Sequence, residues 1–161
     1  MALGLFLAAC TGGDAPPPPC PRVQPVQEAQ HLVRFQGAGR DLTDVIFEAD
    51  IDVIGLACEY NDNVVEADLR VRVVAVEGPL NKARQARFSY FVAIATLDER
   101  IVAREEFDLD VSFEGNLRRV AAMEQLAPRI PLKPGQSALD YRIYVGLVLT
   151  PTELQYNRDN R

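Results

Sequence analysis

Asp50 and Asp52, and again Asp108 and Asp110, stand two residues apart, a spacing that puts both carboxylates on one face of an extended chain. Such a pair could hold a calcium ion or share acid and base work. Each pair also belongs to the polar half of an alternating run, and a solvated sheet face is the better account of it. His31 is the single histidine, with no second histidine and no partner cysteine free to join it, whereas a zinc site needs four ligands. It reads as a surface histidine, exposed or hydrogen-bonded. There is no Gly-x-Ser-x-Gly elbow, no phosphate loop and no dinucleotide fingerprint, because "GAGR" at 37–40 lacks the strand, helix and spacing. Arg118 with Arg119, and Lys82, Arg84 and Arg87, form small basic groups that balance neighbouring acids. The expectation is a chain with no catalytic residue, no metal and no cofactor.

The three cysteines carry more. Residues 1–9 are apolar and uncharged, and Leu7-Ala8-Ala9-Cys10 resembles the lipobox of bacterial lipoproteins, in which small residues precede the cysteine that is lipidated. The lysine or arginine expected ahead of the apolar run is missing, which fits a start inside a longer signal peptide. Residues 11–19 are rich in Gly, Ala and Pro, and the four prolines at 16–19 favour an extended polyproline tether of about 3 Å per residue. Setting Cys10 aside leaves Cys20 and Cys58 as an even pair for a disulfide in an oxidising compartment. The alternative is that Cys58, inside "IGLACEY", is a buried free thiol.

The elements that must position these residues follow from patterning. With 161 residues, 48% hydrophobic and 25% charged, the chain is one ordinary globular domain. Lys plus Arg total 17 against 23 Asp plus Glu, a net charge of −6 that sets the chain against a phosphate backbone, so nucleic acid is not an expected partner. No run reaches the roughly 20 apolar residues of a spanning helix. In "VVEADLRVRVVAVEGP", Val65, Ala67, Leu69, Val71, Val73 and Ala75 share one face. Phe107, Leu109, Val111 and Phe113 do the same, as do Val45, Phe47, Ala49, Ile51 and Val53 until Gly55 shifts the apolar set to Leu56, Cys58 and Tyr60. A glycine at a phase change marks a bulge. "RFSYFVAIATLD" is apolar on both faces, as in a covered central strand, and "LDYRIYVGLVLTP" puts Leu139, Tyr141, Ile143, Val145, Leu147 and Leu149 in register. Turn residues separate the runs, giving seven or eight strands. The fold class is all-β, a single antiparallel β-sandwich of immunoglobulin or fibronectin III-like character. Thr150-Pro151-Thr152-Glu153 is a capping box that opens a short C-terminal helix. The chain divides into a partial signal peptide at 1–9, a lipidated Pro-rich tether at 10–19 and the sandwich at 20–161.

"CPRV" at 20–23, "GRDLTDV" at 39–45, "YFVAIATLD" at 90–98, "IPL" at 130–132 and "YVGLVLTPTELQYNR" at 144–158 together carry a likeness that covers nearly all of the mature chain. On these residues the chain resembles a family of alphaproteobacterial-type envelope lipoproteins of unassigned function. The resemblance implies export and lipid anchoring and supplies no catalytic residue. The remaining candidate is a surface for another protein: Arg40, Asp41 and Asp44 at the mouth of the first long strand, with Tyr156, Asn157 and Arg158 on the terminus, since interfaces favour Tyr and Arg. The alternative is that Asp41 and Asp44 satisfy a turn while Leu154 and Tyr156 cover one end of the sandwich. The expected function is that of a non-enzymatic accessory or scaffold protein, held by an acyl anchor on Cys10 in the periplasmic leaflet of the outer membrane and binding another envelope protein. A periplasmic binding module for a small hydrophobic or glycan ligand is the second expectation, and a hydrolase the third.

Overall fold

The computed structural model describes residues 18–160. The signal-like segment, Cys10 and most of the tether lie outside the described residues, so the readings made on them stay expectations. Nine strands follow one another: β1 (Arg22–Pro25), β2 (His31–Phe35), β3 (Val45–Asn61), β4 (Val64–Glu77), β5 (Gln85–Thr96), β6 (Ile101–Ser112), β7 (Arg119–Leu126), β8 (Arg129–Pro131) and β9 (Tyr141–Leu147), before the helix α1 (Pro151–Asp159). They form two sheets packed face to face, one in the order β1-β9-β5-β6 and the other β2-β3-β4-β7, with β8 also on β4. The fold is therefore the expected β-sandwich with a short C-terminal helix. All pairings are antiparallel except β1 with β9.

Alternation decides which face is buried. Val65, Ala67, Leu69, Val71, Val73 and Ala75 are each at most 1% exposed, and they meet Phe88, Tyr90, Val92, Ile143, Val145 and Leu147 of the opposite sheet. Burying a Val or Leu of this kind stabilises by roughly 1.5–3 kcal/mol, so these rows hold the sheets together. The register slips between Val53 and Gly55, and beyond the slip Leu56, Cys58 and Tyr60 face the core, as the phase change in the sequence requires. The outer face of β5 and β9 is roofed by the short turn Gln27–Ala29: a Cβ on Gly146 would lie within 3.0 Å of both Phe91 and Ala29, so only glycine fits below it.

Two details differ from the sequence reading. Leu139 does not join the last strand; it is 51% exposed in a 3-10 turn, because Ser137 and Asp140 cap each other's backbone there and delay the strand to Tyr141. A ninth strand, β7, arises from "RVAAMEQL", whose core-side positions are Val120, Ala122, Glu124 and Leu126. An alanine and a glutamate among them weaken the period-two signal.

Candidate functional site

The two long sides of the sandwich are built differently. On one side β1 and β2 are joined through the Gln27–Ala29 turn, and α1 lies against β2. Thr150 and Glu153 cap α1 reciprocally, as expected from the sequence. Tyr156 meets Phe35 edge-on with ring centroids 5.0 Å apart. Arg34 Nε donates to Glu153 Oε1 at 2.7 Å. Asn157 Nδ2 donates to the main-chain carbonyls of His31 at 2.6 Å and Glu28 at 2.9 Å. Arg158 pairs with Glu28 at 3.0 Å. A strand edge otherwise open to solvent is thereby covered by a helix.

The six residues expected to form a partner surface fall on and near this covered side. Asp41 and Asp44 cap the 3-10 turn Leu42–Asp44 reciprocally, and Arg40 donates to the Gly39 carbonyl of its own loop while its guanidinium lies 5.2 Å from the Phe35 ring centre. Arg40 and Tyr156 thus meet around Phe35. Asn157 and Arg158 hold the helix, and the polar groups of all these residues except Tyr156 are engaged within the chain. His31, beneath α1, donates from Nδ1 to Asp50 Oδ1 at 2.7 Å, which together with the nearby Asp50 and Glu48 charges outweighs its burial and raises its pKa above 6.5.

Each aspartate of the two spaced pairs has a partner on a neighbouring strand. Asp50 takes His31 and Asp52 takes Arg72 at 3.2 Å. Asp108 accepts from Ser89 Oγ at 2.6 Å and Asp110 pairs with Arg87 at 2.7 Å. They form cross-strand rungs on outer faces. Among the described residues no group of three or more His, Cys, Asp or Glu stands where it could hold a metal ion. Cys20 and Cys58 are joined in a disulfide with Cα atoms 5.6 Å apart, and Tyr60 Oη donates to the Pro19 carbonyl at 2.6 Å. The end of the proline stretch is therefore fastened to the far part of β3 at two points.

The opposite side is open. Among the described residues β6 ends one sheet and β7 the other, and neither has a second strand beside it. Each leaves a row of main-chain N–H and C=O groups free along its outer edge. Residues Ile101 to Glu106 of β6 are all exposed, Ile101 and Val102 among them, and Met123 on β7 is 72% exposed. Between the two strands the sheets part into a cleft of about 500 Å³ lined by Val92, Ile94, Phe107 and Leu126 together with the charged Arg104, Glu105 and Arg129.

Two acids occupy core-side positions of these edge strands. Glu105 is paired with Val92 and Glu124 with Val71, and both valines face the core. Glu105 lines the cleft, and Glu124 stands two residues before Leu126 on the same face. Beneath them lies Tyr90, 1% exposed and stacked on Phe107 with centroids 5.2 Å apart. Its hydroxyl is buried without a hydrogen-bond partner among the described residues. Burial, then the charges of Glu124 and Glu105, push its pKa up to about 12. Neither glutamate has an ion pair or hydrogen bond among the described residues. Sequence reasoning missed this group. Glu105 sits in "REEFD", where adjacent charges erase the alternation, and only the β5 to β6 register places it on the inner face. A charged residue at a core-side position of β7 would have signalled the rest, had "RVAAMEQL" been read as a strand.

No family model matches the chain, and no curated protein matches it. Among the solved structures that match, two distant ones are these. A crystal structure of a DUF1425 family member from Shewanella sp. pv-4 matches at 10% identity and a TM-score of 0.32, over 73% of this chain and 97% of the other. The variable (V) domain of the AgI/II polypeptide BspA from Streptococcus agalactiae matches at 14% identity and a TM-score of 0.23, over 73% of each chain.

Proposed function

We propose that this chain is a non-enzymatic, lipid-anchored envelope protein that serves as an accessory or scaffold subunit. It is held through Cys10 to the periplasmic leaflet of the outer membrane and binds another envelope protein along its open side. The observation that carries this reading is the sidedness of the sandwich. One flank is closed by α1 and the β1 to β2 turn, while β6 and β7 on the other present two free strand edges, exposed Ile101, Val102 and Met123, and a cleft between them. A partner's extended segment laid along such an edge completes the main-chain hydrogen bonds, and the cleft receives its alternate side chains. The Cys20 to Cys58 disulfide supports an oxidising compartment. It also fastens the start of the domain, and with it a tether from Cys10, to β3.

A photo-crosslinking residue placed at Met123, and as a control at the exposed Gln27 of the closed flank, tests the reading in intact cells. One dominant envelope protein captured from Met123 and not from Gln27 is expected. Equal capture at both, or none, overturns it. Cys10→Ser is expected to move the protein to the soluble fraction; retention on the membrane contradicts the anchor. The volume of the cleft favours a second reading, a small hydrophobic or glycan ligand, since about 300–1,000 Å³ is usual for such pockets. A monomer that carries a small molecule through native mass spectrometry, with no protein adduct, would select it.

A further inference from the structure

We propose that the outer face of β1 and β9, at the end where the tether joins the sandwich, lies on an anionic lipid surface, with Arg22 and Arg142 on its phosphates and Leu97 and Leu139 in its interface. This rests on the reading of Cys10 as a lipid anchor and adds which face the domain turns to the bilayer.

The strand register sets two arginines side by side. Arg22 on β1 and Arg142 on β9 are direct partners in the one parallel pairing of the fold. Val23 and Ile143, which follow them, pack into the core, so the arginines occupy the outer face. Neither has an ion pair or hydrogen bond among the described residues, although the chain carries a net charge of −6. Like charges in that arrangement repel, and a phosphate shared between them relieves the repulsion through charge-assisted hydrogen bonds. Acids of the adjoining turns are engaged or offset. Asp140 accepts from the Ser137 amide at 2.8 Å, Asp98 accepts from the Thr96 hydroxyl, and Glu99 is followed by Arg100.

Apolar side chains stand at the same end of that sheet. Thr96 is paired with Tyr141, Leu97 follows the first and is 54% exposed, and Leu139 lies two residues before the second and is 51% exposed. Tyr144, the next outer-face position of β9 after Arg142, is an aromatic with a polar tip, of the kind membrane interfaces favour. Chain length selects a lipid surface over a soluble anion. Arg22 comes two residues after Cys20 and twelve after Cys10, a span of at most about 40 Å even when fully extended. An acyl chain on Cys10 therefore keeps this face within reach of headgroups, and a basic patch supplies a second attachment signal beside it. Two arginines alone are too few to hold the protein on a membrane, so Cys10→Ser still releases it. Arg22 and the free edge of β6 belong to opposite ends of the sheet order β1-β9-β5-β6.

The test uses the acylated protein on vesicles of phosphatidylethanolamine with phosphatidylglycerol, and on vesicles of phosphatidylcholine alone. Spin labels at Leu97→Cys, Leu139→Cys and, as a control, Met123→Cys report exposure to an aqueous relaxant. On the anionic vesicles the labels at 97 and 139 are expected to lose about tenfold or more in accessibility, while the label at 123 stays open. The Arg22→Gln, Arg142→Gln double variant is expected to reopen both. Shielding that persists in the double variant or is equal on phosphatidylcholine overturns the arginine contact. Inorganic phosphate bound at Arg22 and Arg142 in solution, with no shielding on anionic vesicles, marks a soluble-anion site and overturns the lipid surface. Labels that stay open on protein still held by the vesicles overturn the bilayer face and leave the anchor intact, whereas protein that leaves both kinds of vesicle overturns both readings.

Discussion

Asn157 donates to the main-chain carbonyl of His31 at 2.6 Å, so a side chain from the last helix closes the edge of a strand 126 residues earlier. The same amide reaches the Glu28 carbonyl. That link makes one flank of the sandwich closed and leaves β6 and β7 as the open one. Asn157→Ala should leave two carbonyls without their donor and lower stability by about 1–2 kcal/mol. A urea midpoint unchanged from the parent protein would show that α1 does not seal β2.

The disulfide spans a sequence separation of 38 residues. In the chain-entropy account a loop of that length is worth about 4 kcal/mol. Replacing Cys20 and Cys58 by Ser together should lower the unfolding free energy by that order, measured by denaturant titration with the parent protein under reducing conditions as a second comparison. A loss below about 1 kcal/mol would mean that the Tyr60 bond to Pro19 and the β1 to β9 pairing hold the start of the domain without it.

Tyr90 should ionise well above the ordinary tyrosine value. Its pKa is raised from 10.0 to about 12 in the folded chain, so between those values the native state holds a proton that the unfolded state has released. Stability tied to this group is full below pH 10 and falls as pH rises toward about 12. Tyr90→Phe should flatten that alkaline decline and leave stability at pH 7 unchanged or higher, because the hydroxyl it removes has no partner. A clear loss of stability at pH 7 would mean that the hydroxyl is satisfied in solution.

His31 carries the opposite end of the pH range. Its hydrogen bond to Asp50, with the charges of Asp50 and Glu48, raises its pKa above 6.5. The stabilisation is complete below 6.5 and disappears as pH climbs through the folded value. Both side chains are more than a third exposed, so about 0.5 kcal/mol or less is at stake. Proton NMR of the imidazole should show the raised midpoint in the parent protein and its return toward 6.5 in Asp50→Asn.

Much of the sandwich was legible because its strands alternate cleanly. The row from Val65 to Ala75 could only be a half-buried strand, Gly55 announced a bulge by breaking phase, and Thr150 with Glu153 marked the helix start. The cysteine pairing followed from setting one of three aside. The open flank was not legible, for the physical reason that edge strands are incompletely buried and need not alternate. Ala122 and Glu124 on β7, and Ala103 and Glu105 on β6, break the apolar period where the sheets part. Only register assigns those residues to the core-side face. Arg40, Asp41, Asp44, Asn157 and Arg158 look free in sequence because their partners are carbonyls and acids distant in the chain or in their own loop.

The central claim is that β6 and β7 form the edge that receives a partner's extended segment. Amide hydrogen exchange on the protein alone and in complex with whatever Met123 captures tests it most directly. Alternate amides in 101–106 or 121–126 should become at least about tenfold more protected in the complex, as a strand laid along one edge requires. Protection confined to β2 and α1, with β6 and β7 unchanged, would contradict it.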